Sequence, residues 1–309
     1  MTLRVGVAGI PGTWSTEHLR RALEQCGCDT LVFSAADCVV EMRSGAVRHA
    51  GVDLGELDAV VVKKLGSTTD PMAPSRVHLL IQLEARGVRV FSPAAAIAEV
   101  QDRYRMTGRL SHAGIPLPAT IVTESVAEAA AAIRRWGRAV VKPLFTSKGS
   151  GMLMLAGGAP LRLALRRWQR QWRMPFYVQE YVPHAGRDIG VVVLAREVLG
   201  AYYRVARRDA WLTTTAAGGH YEACPVTPVM RELAVRAADV FGLTFTCVDL
   251  VEGPHGYLAY EVSAFGSFGG LWRTQGIDAA QRYAEHVVHT LRERTPDERT
   301  GIDHPRVPA

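Results

Sequence analysis

The chain has 309 residues, and 48% of them are hydrophobic, so it can bury a sizeable core as two or three small domains or one large α/β unit. No apolar run has the length of a membrane span, and five cysteines without metal-type spacing indicate reduced thiols, so we expect a cytoplasmic protein. The net charge of +6 favours anionic ligands but not nucleic acid, because the basic residues are spread out and not interleaved with aromatic residues.

Residues 1–95 alternate strand-like and helix-like segments, which predicts a parallel sheet with crossover helices. The predicted strands are 3–9, 29–33, 59–63 and 88–91, and the predicted helices are 16–23 and 77–86. The glycines of residues 6–12 resemble a dinucleotide-binding turn, but their spacing is wrong and Pro11 interrupts them. We therefore favour a plain tight turn over a nicotinamide site.

The rest of the chain mixes strands and helices. Helices are predicted over 100–110, 125–136, 160–172, 230–241 and 279–292, and strands over 120–122, 139–142 and 176–182. From Ile189 to the helix at Met230 the pattern is rich in strands.

Two strand-like runs near the C-terminus each carry one carboxylate, Asp249 in the first and Glu261 in the second. Residues 251–256 between them predict a hairpin turn. Antiparallel strands joined in this way can aim both carboxylates at one point, where they repel unless a cation lies between them. Oxygen ligands of this kind suit Mg²⁺ with substrate phosphates, which indicates an enzyme that handles ATP. The alternative is two exposed carboxylates on opposite faces of the strands.

Lys142 ends an apolar strand, where a buried cation is costly unless it meets an anion. The loop that follows, residues 145–152, contains Lys148, and its glycines Gly149 and Gly151 let the backbone fold closely over a ligand. We interpret these residues as a phosphate clamp, although their spacing is not that of a Walker motif. A solvated surface hairpin is the alternative.

Three further segments fit nucleotide chemistry. The run Gln179–Val182 can offer backbone groups to an adenine edge, although the same letters suit any edge strand. A predicted strand is followed by three arginines, Arg204, Arg207 and Arg208, whose guanidinium groups suit the charge that develops on a phosphoryl or acyl group. The alternative is a solvated basic strand. Residues 211–219, rich in hydroxyl groups and glycine, fit either a loop over a substrate or a surface connection.

Taken in order, these motifs resemble those of ATP-grasp carboxylate–amine ligases, and most closely the RimK-like glutamate ligases. The similarity extends over residues 80–290 and is specific as an ordered set, although each member is weak alone. It is carried by Leu83–Pro93, Asp102-Arg103 with Ala113–Thr120, Val141–Pro143 with the glycine loop, Gln179–Val182, Gly186–Ile189, Asp249 and Glu261.

The resemblance implies an ATP-grasp architecture of class α/β, with α+β character in the C-terminal half. An N-terminal parallel-sheet domain, residues 1–95, would precede two α+β subdomains, residues 96–182 and 183–295, that clamp ATP. Residues 296–309 would form a flexible tail.

The resemblance also implies roles for individual residues. Mg²⁺, with Mn²⁺ as the alternative, is expected on Asp249, Glu261 and Ser263, and Arg204 is expected to steady the acyl phosphate as the catalytic residue. The expected nucleotide ligands are Arg103, Lys142, Lys148, Gly149, Gly151, Gln179, Glu180, Tyr181, Val182 and Asp188.

The implied reaction begins with phosphorylation of a carboxylate by ATP. An amine, glutamate or another amino acid, then attacks the acyl phosphate, and phosphate leaves. The expected acceptor is a small molecule or cofactor. No nucleic-acid or membrane partner is expected, and assembly into a homo-oligomer stays open.

Several departures from the family pattern leave other functions open. Arg103 replaces a lysine, Gly190 replaces an arginine, and Ser263 replaces the asparagine of the metal-binding motif. The run Leu212-Thr213-Thr214 replaces an arginine-containing one. One alternative is an ATP-binding regulatory protein that has lost catalysis. Another is a ligase of the same fold that attaches a different amino acid to a pterin, furan or deazaflavin coenzyme.

Overall fold

The structure, a computed structural model, describes residues 2–67, 70–158, 160–208 and 210–293. Contacts divide the described residues into two units: one lies within residues 2–66, 75–94 and 278–293, and the other within residues 67–74 and 95–277. Within the described ranges, no helix is long and apolar enough to cross a membrane. The flexible tail predicted for residues 296–309 lies outside the described residues.

The elements of the first unit, in chain order, are β1 (Arg4–Ala8), α1 (Trp14–Gln25), β2 (Asp29–Phe33), β3 (Cys38–Glu41), β4 (Ala46–His49), β5 (Val52–Asp53), β6 (Ala59–Val62), α2 (Val77–Ala85), β7 (Arg89–Phe91) and the last helix, Ala279–Arg292. Four of the strands form a parallel sheet with the order β2-β1-β6-β7, which confirms the predicted parallel sheet. The other three form a small antiparallel sheet, β3-β4-β5, which was not predicted.

That last helix belongs to the first unit because it packs against α1. The imidazole Nε2 of His18 lies 3.0 Å from the carboxylate of Asp278, which also caps the helix by accepting from the amides of Ala280 and Gln281. The sequence analysis expects domain boundaries at residues 95, 182 and 295. They differ from the division into units by contacts, and they stay a prediction.

The elements from the unit boundary on are α3 (Ala94–Gln101), α4 (Arg103–His112), β8 (Thr120–Thr123), α5 (Val126–Trp136), β9 (Arg138–Lys142), β10 (Leu153–Ala156), α6 (Leu161–Trp172), β11 (Phe176–Glu180), β12 (Arg187–Leu194), β13 (Glu197–Val205), β14 (His220–Cys224), α7 (Pro228–Asp239), β15 (Phe245–Gly253), β16 (Gly256–Val262) and α8 (Gly269–Gln275); the last helix is α9. The strands of the second unit form two antiparallel sheets. The smaller sheet has the order β10-β9-β11-β8, and the larger has the order β14-β13-β12-β15-β16.

The helix predicted over Val100–Leu110 is wrong at one point, because the structure breaks it at Asp102. Asp102 has an extended backbone, and its side chain accepts hydrogen bonds from the amides of Tyr104 and Arg105. Aspartate is favoured at such an N-cap, where it satisfies amides that lack a helical partner. Helical periodicity continues across the break, and for this reason the sequence pattern does not reveal it.

The two faces of the smaller sheet have different environments. Alternate residues of β9 and β11, such as Val141 and Val178, join a buried core with α5 and α6. The residues between them, among them Lys142, Tyr177 and Gln179, therefore lie on the opposite face, because successive strand residues alternate. The helices thus cover one face and leave the other for polar groups.

Two leucines of α6 test this packing. Leu165 is fully buried in the core, whereas Leu163 on the outer side of the same helix is 48% exposed. Leu165→Ala should lower the free energy of unfolding of the second unit by about 2–5 kcal/mol, because it leaves a cavity. Leu163→Ala should change it by no more than about 0.5 kcal/mol. Urea titrations of both full-length variants measure the difference, and equal losses would contradict the assigned helix face.

Candidate active site

The two predicted metal carboxylates lie directly opposite each other on neighbouring strands. Asp249 of β15 pairs with Glu261 of β16, and such antiparallel partners project from the same face of a sheet. The alternative of opposite faces is therefore wrong. The predicted hairpin is confirmed, with a two-residue connection, Pro254-His255, shorter than expected.

Arg204 links two carboxylates on this face. Its Nε and Nη2 donate to the two oxygens of Asp188 at 2.8 and 2.9 Å, and Nη2 lies 3.0 Å from Oδ2 of Asp249. The guanidinium fork matches a carboxylate in this bidentate arrangement. Of the three predicted arginines, Arg204 is in this network, whereas Arg207 and Arg208 are exposed.

The electrostatics of this network reflect its burial. Burial alone would lower the pKa of Arg204, but the carboxylates of Asp188 and Asp249 outweigh it and raise that pKa. Burial raises the pKa of Asp249; Arg204 opposes the shift, and the negative charges of Asp188 and Glu261 add to it. A further cation close to Asp249 would therefore favour its ionised form.

Arg103 holds the second carboxylate. Its guanidinium is buried, donates from Nη1 to the carbonyl of Pro143 at 2.6 Å, and donates from Nη2 to Oε2 of Glu261 at 3.3 Å. The helix break at Asp102 places this side chain at the first position of α4. Arg103 thus joins the end of β9 to β16 within the second unit.

Lys142 is buried among polar and aromatic groups. Its Nζ donates to Oε1 of Gln179 at 2.7 Å and lies 5.1 Å from the centre of the Tyr260 ring. Burial lowers the pKa of Lys142 to about 8, and nearby Arg103 adds to the shift, while the carboxylates of Glu261, Asp249 and Asp188 oppose it. The side chain of Gln179 therefore contacts the lysine, and the adenine role expected for this residue stays a prediction.

Arg103, Lys142, Arg204, Asp188, Asp249 and Glu261 together form what we call the charged cluster. It contains three cationic side chains and three carboxylates. Such a set can exchange its internal ion pairs for the charges of a bound polyphosphate and its metal.

The residues expected to contact adenine follow β11. The amide of Glu180 donates to the carbonyl of Ala119 at 2.8 Å, and the amide of Tyr181 donates to that of Arg138 at 3.1 Å. Val182 is buried and packs near Gly253. These two amides already have partners, so the adenine role of Glu180, Tyr181 and Val182 stays a prediction.

The glycine loop is anchored at one end. A side chain at Gly151 would collide with the ring of Trp172, and the carbonyl of Gly151 accepts from the indole of Trp168 at 3.1 Å. Lys148 is exposed and, like Gly149 and Gly151, has a positive φ. Contacts with two tryptophans therefore hold the loop at Gly151.

The other end of the glycine loop approaches residues 211–219. A side chain at Gly149 would lie 3.1 Å from Leu212 and 3.6 Å from Thr214. Oγ1 of Thr214 is buried and has no hydrogen-bond partner among the described residues. A buried hydroxyl of this kind suits an oxygen of a ligand.

The donor set around Asp249 fits a magnesium ion in part. Asp249 and Glu261 supply carboxylates on one face, and Mg²⁺ commonly takes one or two carboxylates with substrate phosphates. Ser263 follows Glu261 by two residues, the spacing that returns a strand to the same face, and its Oγ accepts from the amide of Phe265 at 3.4 Å. In the described ranges no three His, Cys, Asp or Glu side chains are grouped so that they could hold a metal ion.

Several residues of the site escaped the sequence analysis. Tyr260 faces Lys142 because the pairing of β15 and β16 shifts by one residue between Asp249 and Leu250, and a bulge of this kind redirects a side chain. The hydroxyl of Tyr177, two residues before Gln179 on the same strand, accepts from the side-chain amide of Gln179. In the sequence, these residues were marked only by charged residues close to them along the chain.

The departure at Gly190 has a structural explanation. Gly190 pairs with Asp249 on one side and Tyr202 on the other. A Cβ at Gly190 would lie 2.6 Å from the ring of Tyr202, and one at Gly270 would lie 2.3 Å from it. The two glycines thus make room for a fully buried tyrosine ring beside Arg204.

Comparison with known proteins gives a consistent result. The model of the RimK-like ATP-grasp domain matches residues 100–287. The chain is 29% identical to the tetrahydromethanopterin:alpha-L-glutamate ligase of Methanosarcina acetivorans, over 93% of this chain and 99% of that protein. It is 26% identical to the ribosomal protein bS6--L-glutamate ligase of Salmonella paratyphi B, over 96% and 98%.

Solved structures show the same fold. The ATP-grasp ligase PsnB, complexed with a phosphomimetic variant of a minimal precursor, Mg and ADP, superposes with a TM-score of 0.73 over 94% of this chain and 99% of that chain, at 20% identity. The predicted ATP-grasp architecture is therefore confirmed.

The pKa of Lys142 predicts how nucleotide affinity varies with pH. Below pH 8 the ammonium is charged and can pair with phosphate, and above pH 8 it loses its proton. The affinity for a non-hydrolysable ATP analogue should therefore fall by about tenfold between pH 7.5 and 9.5, as measured by calorimetry. Lys142→Met should bind more weakly, with little change over this range. Parallel pH profiles of the two proteins would exclude contact between Lys142 and phosphate.

The anchoring of the glycine loop predicts a graded response to nucleotide. Amides of Ser147–Gly149 should exchange hydrogen more slowly when an ATP analogue is bound, because closure of a weakly held loop protects it. The anchored Gly151 should change less. Exchange measured by NMR with and without the analogue resolves the two ends, and unchanged protection at Ser147–Gly149 would rule out a lid.

Proposed function

The chain belongs to the RimK-like ATP-grasp family and is a ligase that forms carbon–nitrogen bonds; on this premise we propose that it adds glutamate, in an ATP- and Mg²⁺-dependent reaction, to the carboxylate of an acceptor. The observation that carries the proposal is the charged cluster, which gathers cations for phosphate and carboxylates for a metal on one side of the larger sheet. The two relatives named above are both glutamate ligases, which supports glutamate as the amine donor.

Binding of ATP would rearrange the ion pairs of the cluster. Lys142 is the cation best suited to a nucleotide phosphate, because its partner in the free protein is the neutral amide Gln179 and not a carboxylate. Lys148, Gly149 and Gly151 would close over the phosphates from the loop, next to the buried hydroxyl of Thr214. Closure excludes water, which would otherwise hydrolyse an acyl phosphate.

Asp249, Glu261 and Ser263 would hold the magnesium ion. When bound there, Mg²⁺ would supply positive charge to offset the charge that develops during phosphoryl transfer. Asp249 and Glu261 would then exchange contacts with Arg204 and Arg103 for contacts with the metal. Manganese stays the alternative metal.

Arg204 would stabilise the reacting acyl group. Asp188 binds it through two hydrogen bonds and fixes the plane of its guanidinium, so we assign Asp188 to positioning Arg204 rather than to direct nucleotide contact. Without its contact to Asp249, Arg204 would have a donor available for the oxygen of the acceptor carboxylate. The acceptor carboxylate takes the γ-phosphoryl group of ATP, and the glutamate amine then displaces phosphate.

The chemical class of the acceptor is inferred from the relatives rather than from the site. One relative is named for tetrahydromethanopterin and another for ribosomal protein bS6, so the family accepts more than one class of molecule. The expectations of a small-molecule or cofactor acceptor, a cytoplasmic location and a homo-oligomer stay proposals. The alternative of an ATP-binding regulatory protein rests on Ser263, which cannot supply the amide oxygen usual in the family.

The test is ATP turnover with candidate acceptors and single amino acids, followed by product mass. Release of ADP should require both Mg²⁺ and an acceptor, and the product should gain the mass of one or more glutamate residues. Nucleotide binding without ADP release for any acceptor would favour the regulatory alternative.

Carboxamide variants test the metal residues. Asp249→Asn and Glu261→Gln should each lower Mg²⁺-dependent turnover by more than about 100-fold, because each removes a charged ligand. Glu252→Gln is the matched control, since Glu252 is exposed on the same strand as Asp249 and should leave turnover unchanged. Turnover retained by a folded Glu261→Gln variant would refute the metal assignment.

A further inference from the structure

The net charge of the protein is concentrated in one part of the second unit. Residues 120–182 contain ten basic and three acidic residues, a charge of +7, whereas the whole chain carries +6. The expectation that basic residues are spread along the chain is therefore wrong here. Only Lys142 and Lys148 of this segment belong to the site proposed above; the other eight basic residues are arginines.

Seven of these eight arginines lie on α5, on α6 or at the residue that follows α6, and we call the surface that they share the arginine face: Arg134, Arg135, Arg162, Arg166, Arg167, Arg170 and Arg173. All seven are exposed, and none has an ion pair within the described part of the chain. The eighth, Arg138, precedes Lys142 by four residues on β9 and therefore lies on the other face of the sheet.

The helix α6 explains this placement. Leu161, Leu165 and Trp168 face the core, so the arginines between them point to the opposite side. Gly157, just before α6, lies against the backbone of Arg134, so the end of α5 continues the face at the start of α6. Because Lys142 lies on the other side of the β9 sheet, the arginine face is separate from the charged cluster.

A solvated basic helix is the ordinary explanation for a few such residues. Here the unpaired like charges repel, which disfavours the folded state unless an anion compensates them. Arginine also presents a planar fork that binds carboxylate or phosphate through two hydrogen bonds. The surface is thus suited to a polyanion.

We propose that the arginine face binds an acidic segment of a partner polypeptide in extended conformation. Arg162, Arg166 and Arg170 recur every fourth residue on one side of α6, at intervals of about 6 Å along the helix. Alternate residues of an extended chain are about 6.4–6.8 Å apart. Carboxylates at every second residue can therefore meet successive arginines.

The residues around the arginines favour a peptide over nucleic acid. Single-stranded nucleic acid is held by exposed aromatic rings that stack on bases, but Trp168 is buried and Trp136 and Trp172 pack against the core. The exposed apolar side chain at the centre of the face is Leu163, which suits an aliphatic side chain of a peptide. If the proposed function holds, each added glutamate also increases the acidity of a polypeptide product.

The test measures binding alone, so it does not depend on catalysis. Fluorescently labelled dodecapeptides are titrated with the full chain at an ionic strength of about 0.05 M, where surface charges are weakly screened. (Glu-Ala)6 places its carboxylates on one side of an extended chain. (Glu-Glu-Ala-Ala)3 has the same charge but divides it between two sides, and should bind more weakly.

Substitutions locate the site. The triple variant Arg162→Gln, Arg166→Gln, Arg170→Gln should bind (Glu-Ala)6 about tenfold more weakly. The control variant Arg21→Gln, Arg43→Gln, Arg231→Gln removes the same charge at exposed positions elsewhere and should bind as tightly as the unmodified chain. Both variants should retain ATP turnover with any working acceptor, since neither alters the charged cluster.

Three results would overturn the proposal. The first is equal binding of (Glu-Ala)6 to the two triple variants, which would indicate only a general effect of charge. The second is equal or tighter binding of (Glu-Glu-Ala-Ala)3. The third is tighter binding of a single-stranded oligonucleotide of the same charge, lost in the α6 variant, which would make the surface a nucleic-acid site. Failure of the ligase assay would leave all three readouts intact.

Discussion

The mutual compensation of buried charges around Arg204 is the constraint on which this site depends. A buried ion without a partner costs several kcal/mol, so Asp188, Arg204 and Asp249 are stable only as a set. The set in turn requires the register in which β12 lies between β13 and β15, because only that register places Asp188 opposite Arg204 and Gly190 opposite Asp249. Sheet topology and site electrostatics therefore support each other.

The same constraint explains how the free protein can be ready for ATP. Arg103 and Arg204 form ion pairs with the carboxylates that we assign to the metal, and the side chain of Gln179 accepts a hydrogen bond from Lys142. These contacts lower the cost of keeping the charges buried, and each can be replaced by a charge that the substrate brings. The departure from the family pattern at Gly190 fits this balance. Gly190 leaves room for the neutral ring of Tyr202, and the buried arginines identified around these carboxylates are Arg103 and Arg204.

The smaller sheet contributes to two different surfaces, because successive residues of a strand point to opposite faces of the sheet. One face of β9 and β11 directs Lys142 and Gln179 toward the charged cluster, while the other face packs under α5 and α6. The outward side of α6 then carries the arginine face. A change to the arginines need not disturb the nucleotide site, because a layer of core side chains separates the two.

Sequence alone determined the parts that depend on local pattern. The parallel sheet, the hairpin with Asp249 and Glu261, the strand ending at Lys142 and the family followed from periodicity and ordered motifs, because hydrophobic spacing and short motifs are encoded by neighbouring residues. The break at Asp102 was missed because a capping residue can occur without changing the periodicity.

Tertiary structure decided which side chains meet. That Asp188 binds Arg204, that Gln179 binds Lys142 and that the bulge aims Tyr260 at Lys142 are results of the register in which strands pair. A shift of one residue in any of these pairings would move the side chain to the other face of the sheet. The composition likewise gave only a total charge, and the packing of α5 on α6 showed that seven arginines share one surface.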